Sequence, residues 1–268
     1  MSTEMESSSE KQLPSQINQV KVICRHELRK FLRSKRVIGV IVVAVLASVA
    51  VVNFIVNVFD TDSRTGLLGL SLLLGPLLLI ITAALVGSDA LLVEFHEKTG
   101  YSLFPNPVTR TSIWFGKFLA AEIIVFIVIA IYFGVITAAA LIQFKEALPT
   151  AWIEPMLFSI VLGTLVMSIA FLWSAIFKGP LAATITTLFS LVILPIADVI
   201  LSSQQLDTWF MPYSAANNVI TSLAFLDRDL LIENAERSIP IIASLFVVLA
   251  YIIGFSALSI YLFRRRDM

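Results

Sequence analysis

The stretch EFHEKTGYSLFPNPVTRTSIWFGK, residues 94–117, decides how this chain folds, because it is a polar, proline-broken link between two long apolar runs. Residues 67–92 precede it and residues 113–142 follow it. Each run exceeds the roughly 20 apolar residues that a helix needs to cross a bilayer core of about 30 Å. A simple turn between two spans needs only a few polar residues. This link is longer and mixes charges with large apolar residues, so we expect it to form a surface that a soluble partner binds.

Composition extends this reading to the whole chain. Of its 268 residues, 58% are hydrophobic and 14% are charged, whereas soluble domains carry about 25% charged residues. The short alternating segments of a membrane β-barrel are not visible in the sequence. We therefore predict an all-α membrane protein with six transmembrane helices. The predicted spans are residues 37–59, 67–92, 113–142, 152–177, 181–201 and 239–263.

The basic residues predict the orientation of these spans. With the N-terminus inside, the outer links hold Arg64, Lys145, Arg228 and Arg237, which leaves 15 of the 19 lysines and arginines on the cytosolic side. The positive-inside rule strongly favours this direction. Six spans then place both termini in the cytosol. A multi-pass protein of the cell membrane is the expected location.

The N-terminal region divides into two parts. Residues 1–16 are rich in Ser, Glu and Gln, which predicts a disordered cytosolic tail. We expect no cleaved signal peptide, because the sequence has no apolar core near its start. Residues 17–36 predict an amphipathic helix lying in the headgroup plane; the alternative is a charged anchor that only fixes topology. Its apolar face would carry Ile17, Val20, Cys24, Leu28 and Phe31.

The longest outer link, residues 202–238, combines aromatic residues with an acidic run. Aromatic side chains favour the membrane interface. We expect short helices on the outer leaflet here, with an ordinary surface loop as the alternative.

Few residues could carry catalysis. The chain has two histidines, His26 and His96, and no Gly-rich phosphate loop followed by Lys-Ser or Lys-Thr. We therefore expect no metal site and no nucleotide hydrolysis by this chain. Three acids fall within or near spans and could line a pathway, namely Asp89, Glu122 and Asp198. Asp89 and Asp198 could instead reach the interfaces, whereas Glu122 lies about 13 Å along its helix.

The 94–117 link has an internal order of its own. Gly100 is suited to a helix end, and Pro105 and Pro107 block a helix through them. Between these breaks lies an apolar cluster of Tyr101, Leu103 and Phe104. We expect a short helix across the membrane face, because exposed apolar groups with a polar rim mark interaction sites.

In its motifs the link resembles the coupling segment of ABC exporter permeases of the type-2 class. The order that carries the resemblance is Gly87-Ser-Asp89, Glu94, Lys98-Thr-Gly100, Leu103, Pro107-Val-Thr-Arg110 and Gly116-Lys117. Two departures are His96-Glu97, where a basic residue is common, and Phe104-Pro105-Asn106, which replaces a leucine or serine run. These two departures bear on which contacts the link makes with its partner and not on the class of protein that it resembles.

The resemblance implies a permease without ATPase activity. A separate ATPase subunit would bind ATP and Mg, so no cofactor is expected in this chain. A second permease, expected to be another copy of this chain, would complete the transporter in the lipid membrane, with no nucleic-acid partner. The coupling segment would be residues 94–112 within a six-helix domain at 37–268. The residues that would contact the ATPase are Glu94, Lys98, Gly100, Tyr101, Leu103, Phe104, Pro107 and Arg110.

Two other functions stay open at the level of sequence. An ion- or proton-coupled carrier would use Glu122 and transport without ATP. A membrane scaffold would use the 94–117 link to recruit a protein that is not an ATPase. Within the transporter hypothesis, an apolar pathway with few charges favours lipophilic or amphipathic cargo.

Overall fold

The computed structural model describes residues 15–58, 74–92, 109–144, 153–204, 210–212, 214–215 and 241–266. Within these residues the predicted all-helical fold is confirmed, with seven main helices and no strand. The helices are α1 Gln16–Arg33, α2 Lys35–Val58, α3 Leu74–Gly87, α4 Arg110–Phe144, α5 Ile153–Ile176, α6 Pro180–Ser203 and α7 Ile241–Arg265. The final turn of α3, Ala83–Gly87, is π-helical.

Within the part of the chain that the structure describes, five helices are long and apolar enough to cross a membrane. Their apolar stretches are Lys35–Phe54, Arg110–Ala139, Met156–Ile176, Pro180–Leu201 and Ala243–Arg265. The predicted second span, residues 67–92, is described only from Leu74, where the shorter apolar helix α3 begins. The count of six spans therefore stays a prediction. Most of the 202–238 link lies outside the described residues.

Short polar side chains set the helix boundaries. Ser15 accepts a hydrogen bond from the Asn18 backbone N–H at 3.4 Å and caps α1. Ser34 has an extended backbone between α1 and α2, and its hydroxyl accepts from the Val37 N–H at 3.2 Å. Thr109 caps α4 by accepting from the Ser112 N–H at 3.2 Å. Each cap satisfies a backbone donor that the first turn of a helix leaves unpaired.

Helix α5 lies at the centre of the bundle, in contact with α3, α4, α6 and α7. In its apolar stretch 61% of the residues are buried, against 11% for those of α6 and α7. Gly163 permits the close approach of α4, because a Cβ at that position would lie 2.5 Å from Val125 Cγ1. The outer faces of α6 and α7 remain open to lipid or to another chain.

The helix ends that carry the described basic residues meet at one end of the bundle. Helices α2, α4 and α6 begin at this end, whereas α3, α5 and α7 end there, and α1 packs beside the first turns of α4. We call it the charged end, because it holds every lysine and arginine that the structure describes. These residues are Lys21, Arg25, Arg29, Lys30, Arg33, Lys35, Arg36, Arg110, Lys117, Lys178, Arg264, Arg265 and Arg266.

Candidate functional site

The segment predicted to couple to an ATPase begins and ends at the charged end. Of the residues predicted to make this contact, only Arg110 is described; Glu94, Lys98, Gly100, Tyr101, Leu103, Phe104 and Pro107 lie outside the described residues. The described chain before the segment ends at Leu92, which we call the entry point, and the described chain resumes at Thr109 inside the segment, which we call the exit point. The contacts made next to these two points define the candidate site.

The entry point is fixed to α4 and α5. The backbone N–H of Leu91 donates to Ser174 Oγ at 3.1 Å, and the carbonyl oxygen of Ala90 accepts from Lys117 Nζ at 2.7 Å. Ala90 and Leu91 are both buried. Two helices that face each other in the bundle therefore hold the last residues before the segment.

The same lysine also joins α1 to this junction. Lys117 Nζ donates to Glu27 Oε1 at 3.2 Å, and the two side chains are 1% and 7% exposed. Buried charges are tolerated only when they are paired and hydrogen-bonded. Lys117 thus connects α1, the end of α3 and α4 through one buried ammonium group.

The exit point is fixed by α1. The Thr109 backbone N–H donates to the buried Gln19 side chain at 3.3 Å. One turn further along α1, Ile23 packs so closely on Gly116 that an added Cβ would lie 2.7 Å from Ile23 Cβ. The contacts Gln19–Thr109, Ile23–Gly116 and Glu27–Lys117 run in the same order along both helices, so α1 follows the start of α4.

The helix predicted for residues 17–36 is therefore present as Gln16–Arg33, but one of its expected apolar residues points elsewhere. Cys24, Leu28 and Phe31 of its predicted apolar face pack on the protein core, whereas Ile17 is 79% exposed. Burial raises the pKa of the Cys24 thiol. A position of this helix in the headgroup plane stays a prediction.

Two arginines tie the start of α4 to the ends of α7 and α5. Arg110 Nη1 donates to the carbonyl oxygens of Arg264 and Arg266 at 2.9 and 2.8 Å. Arg266 in turn donates to the carbonyl oxygens of Ser174 and Phe177 at 3.3 and 2.6 Å. The last carbonyls of a helix lack partners within it, and cations near them are favourable. Burial lowers the pKa of the Arg266 guanidinium, which stays charged because arginine titrates far above neutral pH.

An aromatic cluster stiffens the same region from within the bundle. Trp114 Nε1 donates to Ser259 Oγ at 3.0 Å, and Ser259 Oγ donates to the Phe171 carbonyl at 3.0 Å. The Trp114 ring stacks on Phe118 with centroids 4.8 Å apart and meets Phe171 edge-on at 5.6 Å. Helices α4, α5 and α7 therefore form one packed unit behind the entry and exit points.

The three acids predicted near a pathway lie on different elements and at different depths. Asp89 pairs with Arg36 at the charged end. Glu122 Oε2 accepts from Thr164 Oγ1 at 3.2 Å, about 18 Å along α4 from Arg110. Asp198 lies about 27 Å along α6 from Pro180. Within the described residues, Glu122 Oε1 and Asp198 Oδ1 are buried without a hydrogen-bond partner, and no three His, Cys, Asp or Glu side chains group as metal ligands.

The sequence did not indicate the residues that hold the site together, which are Gln19, Glu27, Ser174 and Arg266. One signal was available, because Gln19, Ile23 and Glu27 repeat every four residues and so share a helix face. Nothing local indicates that this partly polar face is buried.

Comparison with known proteins gives a family for the chain. A family model described as ABC-2 family transporter protein matches residues 21–268. Comparison with curated proteins gives no match. The chain therefore belongs to the ABC-2 transporter family and is the multi-pass membrane component of an ABC transporter. The predicted membership of the type-2 class of ABC permeases is confirmed.

Proposed function

We propose that this ABC-2 permease is the membrane-spanning subunit of an ATP-driven exporter that couples through residues 94–112 to a separate ATPase subunit. The ATPase binds ATP and Mg, and two copies of the permease form the transporter in the cell membrane. The observation that carries the proposal is the attachment of both ends of the segment, at Leu91 and Thr109, to α5 and α1. A docked partner that displaces the segment would therefore act on the bundle directly.

The distribution of charge supports a cytosolic position for the segment. In the predicted six-span topology, 15 of the 19 lysines and arginines fall on the side of the charged end, and the positive-inside rule assigns that side to the cytosol. ATP and a soluble ATPase are found on that side. The proposed orientation places both termini and the coupling segment within reach of the same partner.

The contacts at the charged end support transmission of a push. A movement of the exit point pulls on Arg110, whose guanidinium is bonded to α7, and Arg266 extends this link to α5. A movement of the entry point pulls on Ser174 and Lys117. Helices α4, α5 and α7 would then respond together, because their shared hydrogen bonds and packed rings resist independent sliding.

The outer surfaces support a second permease and an apolar cargo. Helices α6 and α7 expose large apolar side chains, among them Phe189 at 67% and Phe246 at 69%. Lipid covers part of such a surface, and a second copy of the chain can cover another part. Few charged residues enter the spans, so a lipophilic or amphipathic cargo fits the pathway better than an ion.

The rival hypothesis of a proton-coupled carrier rests on Glu122, whose Oε1 atom is buried without a partner among the described residues. A carrier usually needs several titratable groups along a path. Glu122 lies on a different element and at a different depth from Asp89 and Asp198, which leaves this function with less support.

Reconstitution with the ATPase tests the proposal. The change Phe104→Asp should weaken ATPase binding by at least about 30-fold, because an aromatic anchor at an interface contributes 2 kcal/mol or more. Phe210→Asp, which alters an exposed phenylalanine outside the segment, should leave co-purification unchanged. Arg110→Gln should keep the ATPase bound but lower transport per ATP hydrolysed.

Two results would contradict the proposal. One is full transport and co-purification with Phe104→Asp. The other is transport driven by a proton gradient without ATP and abolished by Glu122→Gln, which would establish the carrier instead. Capture by the segment of a protein without ATPase activity would favour the scaffold.

A further inference from the structure

A cavity of about 320 Å³ opens at the charged end, between α1, the start of α2 and the end of α3. Its wall includes Lys30 and Phe31 of α1, Lys35 and Arg36 next to the Ser34 break, and Leu85 of α3. The volume is at the lower end of the range for small-ligand sites. Neither the coupling contacts nor the family assignment gives this cavity a role.

The charges around the cavity favour an anion. Both acids that line it already have cationic partners, since Asp89 pairs with Arg36 and Glu27 pairs with Lys117. Lys30 and Lys35 also line the cavity and are exposed; Lys30 lies near enough to Asp89 to interact with it electrostatically, but neither lysine forms an ion pair with a described residue. Lys35 and the exposed Lys30, which no described carboxylate holds in an ion pair, leave the rim of the cavity positive and able to attract an anionic group.

The neighbouring surface favours an anion that carries an apolar tail. Phe31 and Leu85 form part of the cavity wall, and Leu85 is 36% exposed. Further along the same two helices, Ile38 on α2 and Leu77 on α3 are each 50% exposed. A soluble anion would gain nothing from this apolar surface, whereas the acyl chains of a lipid would cover it.

We propose that this cavity binds the phosphate headgroup of an anionic phospholipid, with the acyl chains lying against the exposed side chains of α2 and α3. Lys30 and Lys35 attract the phosphate, and basic pockets between membrane helices are suited to such headgroups. The bound lipid contacts α1 and α2 on both sides of the Ser34 break. It thereby fixes the angle between these helices and supports the α1 contacts with α4.

Lipid binding to the purified full chain tests this proposal. Native mass spectrometry would count phosphatidylglycerol molecules retained in nanodiscs made mainly of phosphatidylcholine. Each lysine near an anionic headgroup should contribute about a 5-fold gain in affinity, so Lys30→Gln with Lys35→Gln should lose about 25-fold. The matched control is Arg25→Gln with Arg29→Gln, which removes the same charge from exposed positions of α1 that do not line the cavity. The control should change affinity by less than about 3-fold.

Each of the other outcomes has a defined meaning. An equal loss in both double variants would overturn the proposal, because the attraction would then be a general effect of surface charge. Glycerol 3-phosphate, which has the headgroup chemistry without acyl chains, should not displace the lipid; if it does so at equal concentration, the site takes a soluble phosphate and the lipid assignment is wrong. Lys30→Arg with Lys35→Arg keeps the charge and should retain binding, so a loss in this variant would also contradict the proposal.

Discussion

The buried pair of Glu27 and Lys117 gives the sharpest test of how α1 is held. We consider Glu27→Leu, Lys117→Met and the double variant, which replace the charged groups with apolar side chains. Each single change leaves one buried charge without its partner, because the two side chains are 7% and 1% exposed. The double change removes both charges and fills the same space with apolar groups.

The expected energies follow from these contacts. Breaking a buried ion pair from one side destabilises a protein by about 3–5 kcal/mol, whereas replacing both partners by apolar groups is often neutral. Lys117→Met also removes the 2.7 Å hydrogen bond to the Ala90 carbonyl, and an unsatisfied buried acceptor costs about 1–3 kcal/mol. We therefore expect the double variant to lose only about 1–3 kcal/mol, so the coupling between the two sites should reach at least about 3 kcal/mol.

Unfolding in mixed micelles measures this cycle. The free energy of unfolding of the four proteins would be obtained by titration with sodium dodecyl sulfate and followed by circular dichroism. Lys21→Met, a change at an exposed lysine of the same helix, serves as the control and should shift stability by no more than about 0.5 kcal/mol. Single changes that each cost less than about 1 kcal/mol and simply add in the double variant would show that water reaches the pair, and the reasoning would fail.

Two further predictions use the same helix and its neighbour. Gly116→Ala should destabilise the protein by about 1–3 kcal/mol in the same titration, because the added Cβ would clash with Ile23. The control Gly134→Ala, where the added Cβ meets nothing within 4 Å, should be neutral or stabilising by up to about 1 kcal/mol. Equal losses at both sites would contradict the tight α1–α4 contact. Because the pKa of the Cys24 thiol is raised, less thiolate is present at neutral pH. Maleimide should therefore label Cys24 more slowly at pH 7 than a cysteine introduced at exposed Val22 in a Cys24→Ser background, and the labelling rate of Cys24 should still rise at more alkaline pH. Equal labelling rates at pH 7 would refute this prediction.

The helix positions could be predicted because one effect dominates them. Long apolar runs bounded by polar residues must be helical in a membrane, where every backbone group needs an internal partner. The predicted span 113–142 corresponds to α4 at Arg110–Phe144, and the predicted span 152–177 corresponds to α5 at Ile153–Ile176. At the start of α4 the difference of three residues arises from the Thr109 cap, which extends the helix beyond its apolar part.

The pairing of polar residues could not be predicted, because it depends on how distant helices come together. Glu27 and Lys117 are 90 residues apart, and so are Gln19 and Thr109. Helical periodicity placed the basic residues of α1 on one face but could not show that a glutamate and a glutamine on another face would be buried against α4. The close contact at Gly116 lets α1 approach α4, where these groups lie within hydrogen-bond distance of each other.

The contacts of Arg110 bear on how force would reach the bundle. The motif order groups Arg110 with residues that would touch an ATPase, yet its guanidinium donates two hydrogen bonds to the end of α7. Two carbonyl oxygens hold the Arg110 side chain, and Arg266 in turn bonds to the end of α5. The Arg110 side chain therefore has little freedom to reach outward to a partner. In the proposed mechanism Arg110 is therefore a positioning residue that connects the segment to α7, and the partner-binding role falls to the apolar cluster at Tyr101, Leu103 and Phe104. A transporter built in this way separates the surface that binds the ATPase from the contacts that transmit its movement. This is why we expect Phe104→Asp to weaken binding and Arg110→Gln to leave binding intact while lowering transport per ATP.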